Sequence, residues 1–349
     1  MFTTNQLPGR TLCHEGREYL FFSGTSYLGL AQNPVLHTLL AQGVAHYGLQ
    51  FGSSRNGNLQ LAVFAEAEAK LARLVGAPAA LTVSSGMLAG QLTTHWLAQQ
   101  VGLQAIGYQA VNTHPALWQT ALPAQVRVLP PAPTDPTPAY LLTNSVDALY
   151  SETPSFEWLS ALPKNQPVYL VVDDSHGLGV LEEGRGIWPV LSHHLRHHPA
   201  VCLLVTASLG KAMGLPGGVV FGEPGTLTAL RQTAYFGGCS PMPPAYAHAF
   251  LHADAVYATA RQRLRQNIAL AQELLLPLGC FQQADGYPVF YTDQDEMAAF
   301  LLEKGIFVYS FAYPTPAHKA NTRVVISALH EPTDIQQLAE TVREWTGKR

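Results

Sequence analysis

Short apolar runs that recur along the chain constrain its fold more than any other feature. The runs at 80–84, 104–108, 126–129, 140–143, 168–173, 201–206 and 218–221 are mostly continuous rather than alternating with polar residues. That texture suits strands covered on both faces, as in a mainly parallel sheet with helices on each side. Helix-period stretches lie between and around them. In 59–75, Leu61, Phe64, Glu68, Leu71 and Val75 share a face, which predicts the Glu68 charge at the edge of a buried stripe. Near the C-terminus Thr333, Asp334, Ile335 and Gln336 resemble a capping box, followed by an apolar stripe of Ile335, Leu338, Ala339, Val342 and Trp345. The expected fold class is α/β.

A chain of 349 residues has room for about two domains. Five prolines between Pro130 and Pro138 read as a surface loop. The texture changes again at Gly237-Gly238-Cys239-Ser240-Pro241, and from Cys280 onward the order strand, helix, strand, strand, helix reads as a small α/β domain. The division expected is an N-terminal segment at 1–40, a large domain at 41–240, and a connecting helix with the small domain at 241–349.

Hydrophobic residues at 47% against 13% charged exclude a disordered chain. A net charge of −4, from 20 basic and 24 acidic residues without a basic cluster, argues against a nucleic-acid partner. The four cysteines are scattered and show no metal-ligand spacing. The first ten residues lack the pattern of a secretory signal, and no apolar run approaches the roughly 20 residues that cross a bilayer. A cytoplasmic protein with no membrane partner is expected.

Three familiar motifs fail on inspection. Gly177-Leu178-Gly179 follows a strand, but Glu182 stands where a dinucleotide fingerprint needs its third glycine. Gly210-Lys211-Ala212 lacks both the leading glycine of a P-loop, since position 205 is Val, and the hydroxyl residue after Lys. His193, His194, His197 and His198 have helical spacing without a third ligand or a carboxylate base, and no metal is assigned.

The chemistry lies where apolar runs end. Val172 leads into Asp173-Asp174-Ser175-His176-Gly177, Val205 into Thr206-Ala207-Ser208-Leu209-Gly210-Lys211, and Val83 into Ser84-Ser85-Gly86-Met87. In open α/β sheets ligands sit beyond the carboxyl ends of strands, so these three ends can share a site. A Lys amine can form a Schiff base with an aldehyde cofactor. An Asp beside a pyridine nitrogen keeps it protonated, and the ring then acts as an electron sink. Ser85 and Gly86 at a helix start offer a hydroxyl and N–H groups to a phosphate, and Ser208 can add another hydroxyl. Taken singly, each feature has an ordinary explanation: a surface Lys, an acidic turn, a helix cap.

With these segments in place, the sequence resembles the α-oxoamine synthase family of fold-type-I pyridoxal-phosphate enzymes over nearly its whole length. The segments 172–177 (VDDSHG) and 206–214 (TASLGKAMG) carry most of the likeness. Support comes from 22–30 (FSGTSYLGL), Phe51-Gly52-Ser53-Ser54-Arg55, Ser240-Pro241-Met242-Pro243-Pro244, and Asn321-Thr322-Arg323 through His330-Glu331. The resemblance implies an aspartate-aminotransferase-like fold, with a large mainly parallel-sheet domain and a small C-terminal α/β domain. It implies pyridoxal 5'-phosphate as cofactor, an amino acid and an acyl thioester as substrates, and a homodimer with its sites at the interface. Lys211 would hold the cofactor and move the α-proton, Asp173 would pair with the ring nitrogen, and His176 would contact the ring hydroxyl. His114 would stack on the ring, while Ser85, Gly86, Met87 and Ser208 surround the phosphate. Arg323 would grip the amino-acid carboxylate, Thr25 would face the substrate, and Ser240 would reach the neighbouring subunit's cofactor.

Several positions depart from the family pattern. Thr25-Ser26 stands for Asn-Asp, Met87 for an aromatic residue, Gly90 for Asn, Asn144 for Glu, Ala148 for Ser, Phe64 for His and Leu59 for Gly. On the residues alone two other readings stay open: a different reaction on the same cofactor, such as transamination or aldol cleavage, or a cofactor-binding partner without catalysis.

Overall fold

The computed structural model describes residues 2–102, 104–118, 126–132, 134–312 and 320–347. Of the five-proline stretch, Pro133 lies outside them. The chain divides into two units. The larger comprises Pro34–Asp147 and Pro154–Asp254, the smaller Met1–Asn33, Ala148–Thr153 and Ala255–Arg349.

In the larger unit the apolar runs become the strands of one sheet: β1 (Ala79–Val83), β2 (Gly107–Gln109), β3 (Val126–Val128), β4 (Tyr140–Asn144), β5 (Val168–Asp173), β6 (Val201–Ser208) and β7 (Gly218–Gly222). Their spatial order is β1-β7-β6-β5-β4-β2-β3. β7 runs antiparallel to both of its neighbours, and the remaining pairs are parallel. The carboxyl ends of β1, β4, β5 and β6 therefore share one edge of the sheet. The fold is the expected α/β class with a mixed, mostly parallel sheet.

Most strand limits fall within one residue of the sequence reading, and two shift further. β2 begins at Gly107 rather than 104, because a backbone turn (Ala105 N–H to Gly102 O, 2.9 Å) precedes it and Gly107 accommodates the Tyr140 ring. β6 continues to Ser208, where it pairs with Gly218. The helix Gly86–Gln100 covers one face of the sheet, with Ala89, Leu92, Trp96 and Leu97 packing among Leu81, Leu142, Val171, Leu204 and Val220. Burying side chains of this size contributes about 1.5–3 kcal/mol each.

Glu68 does not lie at the edge of its helix's buried stripe. It is 7% exposed in the helix Ala62–Val75, and its Oε1 accepts from Arg55 Nη1 at 2.6 Å and from the Thr82 N–H at 2.7 Å. The Arg55 guanidinium lies over the Phe64 ring at 4.7 Å from its centroid. Helical periodicity identifies a face but not what crosses to meet it, and here a cation from an upstream turn compensates the buried carboxylate.

The smaller unit opens with a hairpin, Thr11–His14 against Arg17–Phe21, closed by Glu15 and Gly16 at φ 51° and 77°. Ile306–Phe307 adds to it in parallel. A second sheet orders Val289–Thr292, Ala320–Val325 and Tyr309–Ala312, all antiparallel. The last helix runs Pro332–Gly347, starting ahead of the predicted cap at Thr333. Pro332 takes the first position, and Asp334 reaches back to the Glu331 N–H at 2.8 Å, which is the return half of a capping box.

Candidate active site

Strand register places Asn144, Asp173 and Thr206 side by side on β4, β5 and β6. Asp173 is 4% exposed; its Oδ1 accepts the Ser175 N–H at 2.8 Å, whereas its Oδ2 is buried without a hydrogen-bond partner. A carboxylate oxygen left so is costly unless a donor arrives. The adjacent Asp174 has another task. Its Oδ2 accepts the Ile187 N–H at 2.9 Å, and Gly177 and Gly186 are packed so closely against its carboxyl that a Cβ at either would collide with it. Burial pushes the Asp174 carboxyl up to about 7. Asp174 Oδ1 is likewise buried without a hydrogen-bond partner, but it lies against Gly177 in the turn, so the two neighbouring acids differ in place: Asp174 faces the glycine turn and Asp173 Oδ2 faces His114 Nδ1.

Lys211 lies in the tight connection between β6 and β7, closed by Leu209 N–H to Gly217 O and Leu215 N–H to Leu209 O. Its Nζ is 2.9 Å from His176 Nε2. The two strand ends are laced together by the Ser208 N–H, which donates to Ser175 Oγ at 2.8 Å. Ser208 also meets the start of the helix Gly86–Gln100, where a Cβ on Gly86 would approach Ser208 Cβ to 2.6 Å. Ser85 caps that helix by accepting the Leu88 N–H at 3.1 Å, and Met87 is 49% exposed in its first turn. Ser85, Gly86, Met87 and Ser208 therefore gather at a helix N-terminus, where unpaired N–H groups favour an anion.

His114 caps the short turn Pro115–Leu117, and its Nδ1 accepts the Ala116 N–H at 3.1 Å. That bond assigns the ring's proton to Nε2. Nδ1 also lies 3.8 Å from Asp173 Oδ2, a meeting of two acceptors rather than an ion pair. Burial lowers the His114 pKa and outweighs the pull of Asp173, with Lys211 acting in the same direction as burial. Lys211, His176, Asp173 and His114 are thereby brought to the same edge of the sheet.

The remaining predicted residues belong to other segments of the chain. Ser240 is exposed in the connection after the helix Ala234–Gly238. Thr25 and Arg323 belong to the smaller unit, where Thr25 is exposed and Arg323 Nη1 donates to the Ala148 carbonyl. Among the described residues no group of His, Cys, Asp or Glu has metal-binding geometry, and no helix is long and apolar enough to cross a membrane.

Three contributors escaped the sequence reading. Asn144 accepts the His114 N–H, Gln91 donates to the carbonyls of Ala116 and Trp118, and Ser175 takes the Ser208 N–H. For Asn144 a signal existed, since it replaces an acid at the end of a strand. For Gln91 none did.

The family profile for class I and II aminotransferases matches residues 118–342. An 8-amino-7-oxononanoate synthase of Yersinia pseudotuberculosis is 31% identical over 357 residues, covering 96% of this chain and 91% of that protein. One from Nitrosomonas europaea is 30% identical over 361 residues, covering 95% and 90%. Among solved structures, SPT with its PLP internal aldimine superposes with a TM-score of 0.81 at 18% identity, covering 100% of this chain and 92% of that one. An 8-amino-7-oxononanoate synthase of Francisella tularensis gives 0.70 at 21%, covering 95% and 98%. These two likenesses bear on the fold, which is that of the fold-type-I transferases. The near full-length relatives and the family profile together identify the chain: it belongs to the class I and II aminotransferase family, in its α-oxoamine synthase branch.

Proposed function

We propose that this enzyme condenses L-alanine with a pimeloyl thioester, on coenzyme A or a carrier protein, to give 8-amino-7-oxononanoate for biotin synthesis. Pyridoxal 5'-phosphate is its cofactor. The observation that carries the reading is the buried, unpartnered Oδ2 of Asp173 on the same sheet edge as the Lys211 amine. That oxygen suits a protonated ring nitrogen, and the helix start at Ser85, Gly86 and Met87 beside Ser208 suits a phosphate.

Bound there, the cofactor supplies an electron sink for negative charge at the amino acid's α-carbon. The chain's own residues do the rest. Lys211 Nζ, 2.9 Å from His176 Nε2, would hold the cofactor at its aldehyde group and would accept the α-proton, with His176 positioning the amine. Asp173 Oδ2 would accept from the ring nitrogen and so keep it protonated. His114 would stack on the cofactor ring, its own imidazole held by the Ala116 N–H. Arg323 is assigned the amino-acid carboxylate, a task that fits its planar fork, and Thr25 the substrate side. A carbon–carbon bond forms between the α-carbon and the acyl carbon, the carbon–sulfur bond breaks and the thiol leaves with a proton; the carboxyl group then departs as carbon dioxide, its bonding electron pair stays on the α-carbon, and that carbon takes up a proton in its place.

We assign the working form to a homodimer in the cytoplasm, with Ser240 serving the neighbouring subunit's cofactor. Exposed apolar side chains on the larger unit support a partner surface: Leu49 at 76%, Leu59 at 65% and Val111 at 78%. The four cysteines are free, as a reducing compartment requires.

The test is visible absorbance of the purified enzyme during titration with alanine, glycine and serine, followed by pimeloyl thioester and assay of released thiol. Alanine alone should shift the cofactor band, and thiol release should then follow. A preference for glycine or serine would move the assignment to another acyltransferase of the branch. Keto-acid formation without thiol release would move it to transamination. Lys211→Ala should lose turnover by on the order of 10³-fold or more. Thioester-dependent turnover retained by that variant would sink the mechanism.

A further inference from the structure

We propose that Asn144 is a positioning residue for His114, fixing its ring through the main chain while keeping the strand end beside Asp173 uncharged. The proposal deepens the function given above and rests on it for the role of His114. Asn144 ends β4, and its amide uses both of its faces. Oδ1 accepts the His114 N–H at 3.0 Å, and Nδ2 donates to the Asn112 carbonyl at 2.8 Å. One side chain thereby clasps the backbone on both sides of Thr113. Asn112 is tied in turn to Asp147, through Nδ2 to Oδ2 at 2.6 Å.

The same segment is held from its other side by the helix Gly86–Gln100. A Cβ at Gly90 would approach the Ala116 carbonyl oxygen to 2.5 Å, so only glycine lets the segment sit this close. Beside it Gln91 Nε2 donates to the Ala116 carbonyl at 2.9 Å and the Trp118 carbonyl at 2.8 Å. With Nδ1 taken by the Ala116 N–H, the His114 ring has little rotational freedom left. Gly90 and Asn144, two of the positions where this chain departs from its family pattern, thus act on one short segment.

An aspartate at 144 would keep only half of this clasp. It could accept the His114 N–H, but its other oxygen would oppose the Asn112 carbonyl oxygen. It would also set a second negative charge next to Asp173, the register partner of position 144. The charged groups that face His114 are Asp173 from β5 and Lys211 from the β6–β7 connection. The helix side contributes Gly90 and Gln91, both neutral. An amide at 144 leaves that balance untouched.

The experiment is NMR titration of the His114 imidazole in the full-length chain, with and without pyridoxal phosphate, in wild type, Asn144→Asp and Asn144→Ala. Amide exchange at His114 and Ala116 is read in the same samples. Asn144→Asp should raise the His114 midpoint by roughly one unit, as expected for a carboxylate a few ångströms away in a partly screened site. Asn144→Ala should leave the midpoint nearly in place while both amides exchange about tenfold faster, the sign of a loosened clasp. A His114 midpoint unmoved by Asp, or exchange unchanged by Ala, overturns the proposal. If the Asp variant does not fold, the exchange arm decides alone. Because the titration without cofactor needs no turnover, a chain that shows both shifts but makes no product keeps the positioning role and rejects the assigned reaction.

Discussion

His330 is fully buried in the smaller unit, stacked on Phe22 with ring centroids 4.1 Å apart. Its Nδ1 accepts the Ser327 N–H and its Nε2 donates to the Phe21 carbonyl, each at 3.0 Å, so the neutral ring is satisfied on both sides. Burial lowers its pKa from the usual 6.5 to about 4. The unfolded chain therefore takes up a proton at a pH where the folded chain does not. The stabilisation is complete above about pH 6.5 and fades as pH falls toward 4. Urea unfolding should show wild type losing roughly 2 kcal/mol from this group between pH 7 and pH 5. His330→Phe should lack that share of the slope, and equal slopes in the two proteins would reject the account. At this scale the sequence was informative about chemical type and less so about partnership. Lys211, His176 and the acidic pair stood out because they follow apolar runs. Which acid of the pair faces His114, and what Glu68 meets, depend on residues far apart in the chain and became visible only with the strands in register.

A left-handed turn follows the glycine segment after His176. Glu182 and Glu183 adopt φ 49° and 60°, with Gly184 at 92°. Two consecutive non-glycine residues in that region carry a steric cost between Cβ and the carbonyl oxygen. Glu183→Gly should relieve part of it and stabilise the protein by about 0.5–1 kcal/mol after the entropy cost of a new glycine. A raised urea midpoint at unchanged slope is the expected outcome, and a lowered midpoint would show that the Glu183 side chain matters more than its backbone. Among elements, the central strands were legible because burial on both faces leaves a continuous apolar signature. The N-terminal hairpin was not. Its strands bury Leu12 and Tyr19 among charged and polar neighbours, and its turn is Glu-Gly rather than the Asn-Gly or Asp-Gly that flags a two-residue loop. The final helix was seen but begins ahead of its predicted cap, since Asp334 reads equally well as an early helical residue or as the return half of the box. Burial pushes the Asp334 carboxyl up, but the Arg10 fork at 2.7 Å outweighs it and holds the group below the usual range.

At the scale of the whole molecule, the exposed apolar residues on the larger unit make assembly a measurable question. Sedimentation should give a particle of about twice 37.8 kDa at micromolar concentration. Leu59→Asp and Val111→Asp should shift it toward the single chain, with turnover falling about tenfold or more as the partner's contribution is lost. A fully active single chain would remove Ser240 from its assigned role. The order of strands carries one more consequence, for biosynthesis. β1 reaches the sheet only through β7, and Gly218 sits against the Ser85 carbonyl and the Gly86 nitrogen. The first strand of this sheet to leave the ribosome must therefore wait for the last one before it finds its place. A nascent chain halted just short of residue 218 would already hold Lys211, Asp173, His176 and the helix start at Gly86, yet β1, which leads into that helix, would have no neighbour in the sheet. The helix start assigned to the phosphate is thus anchored to the sheet only once β7 has been made.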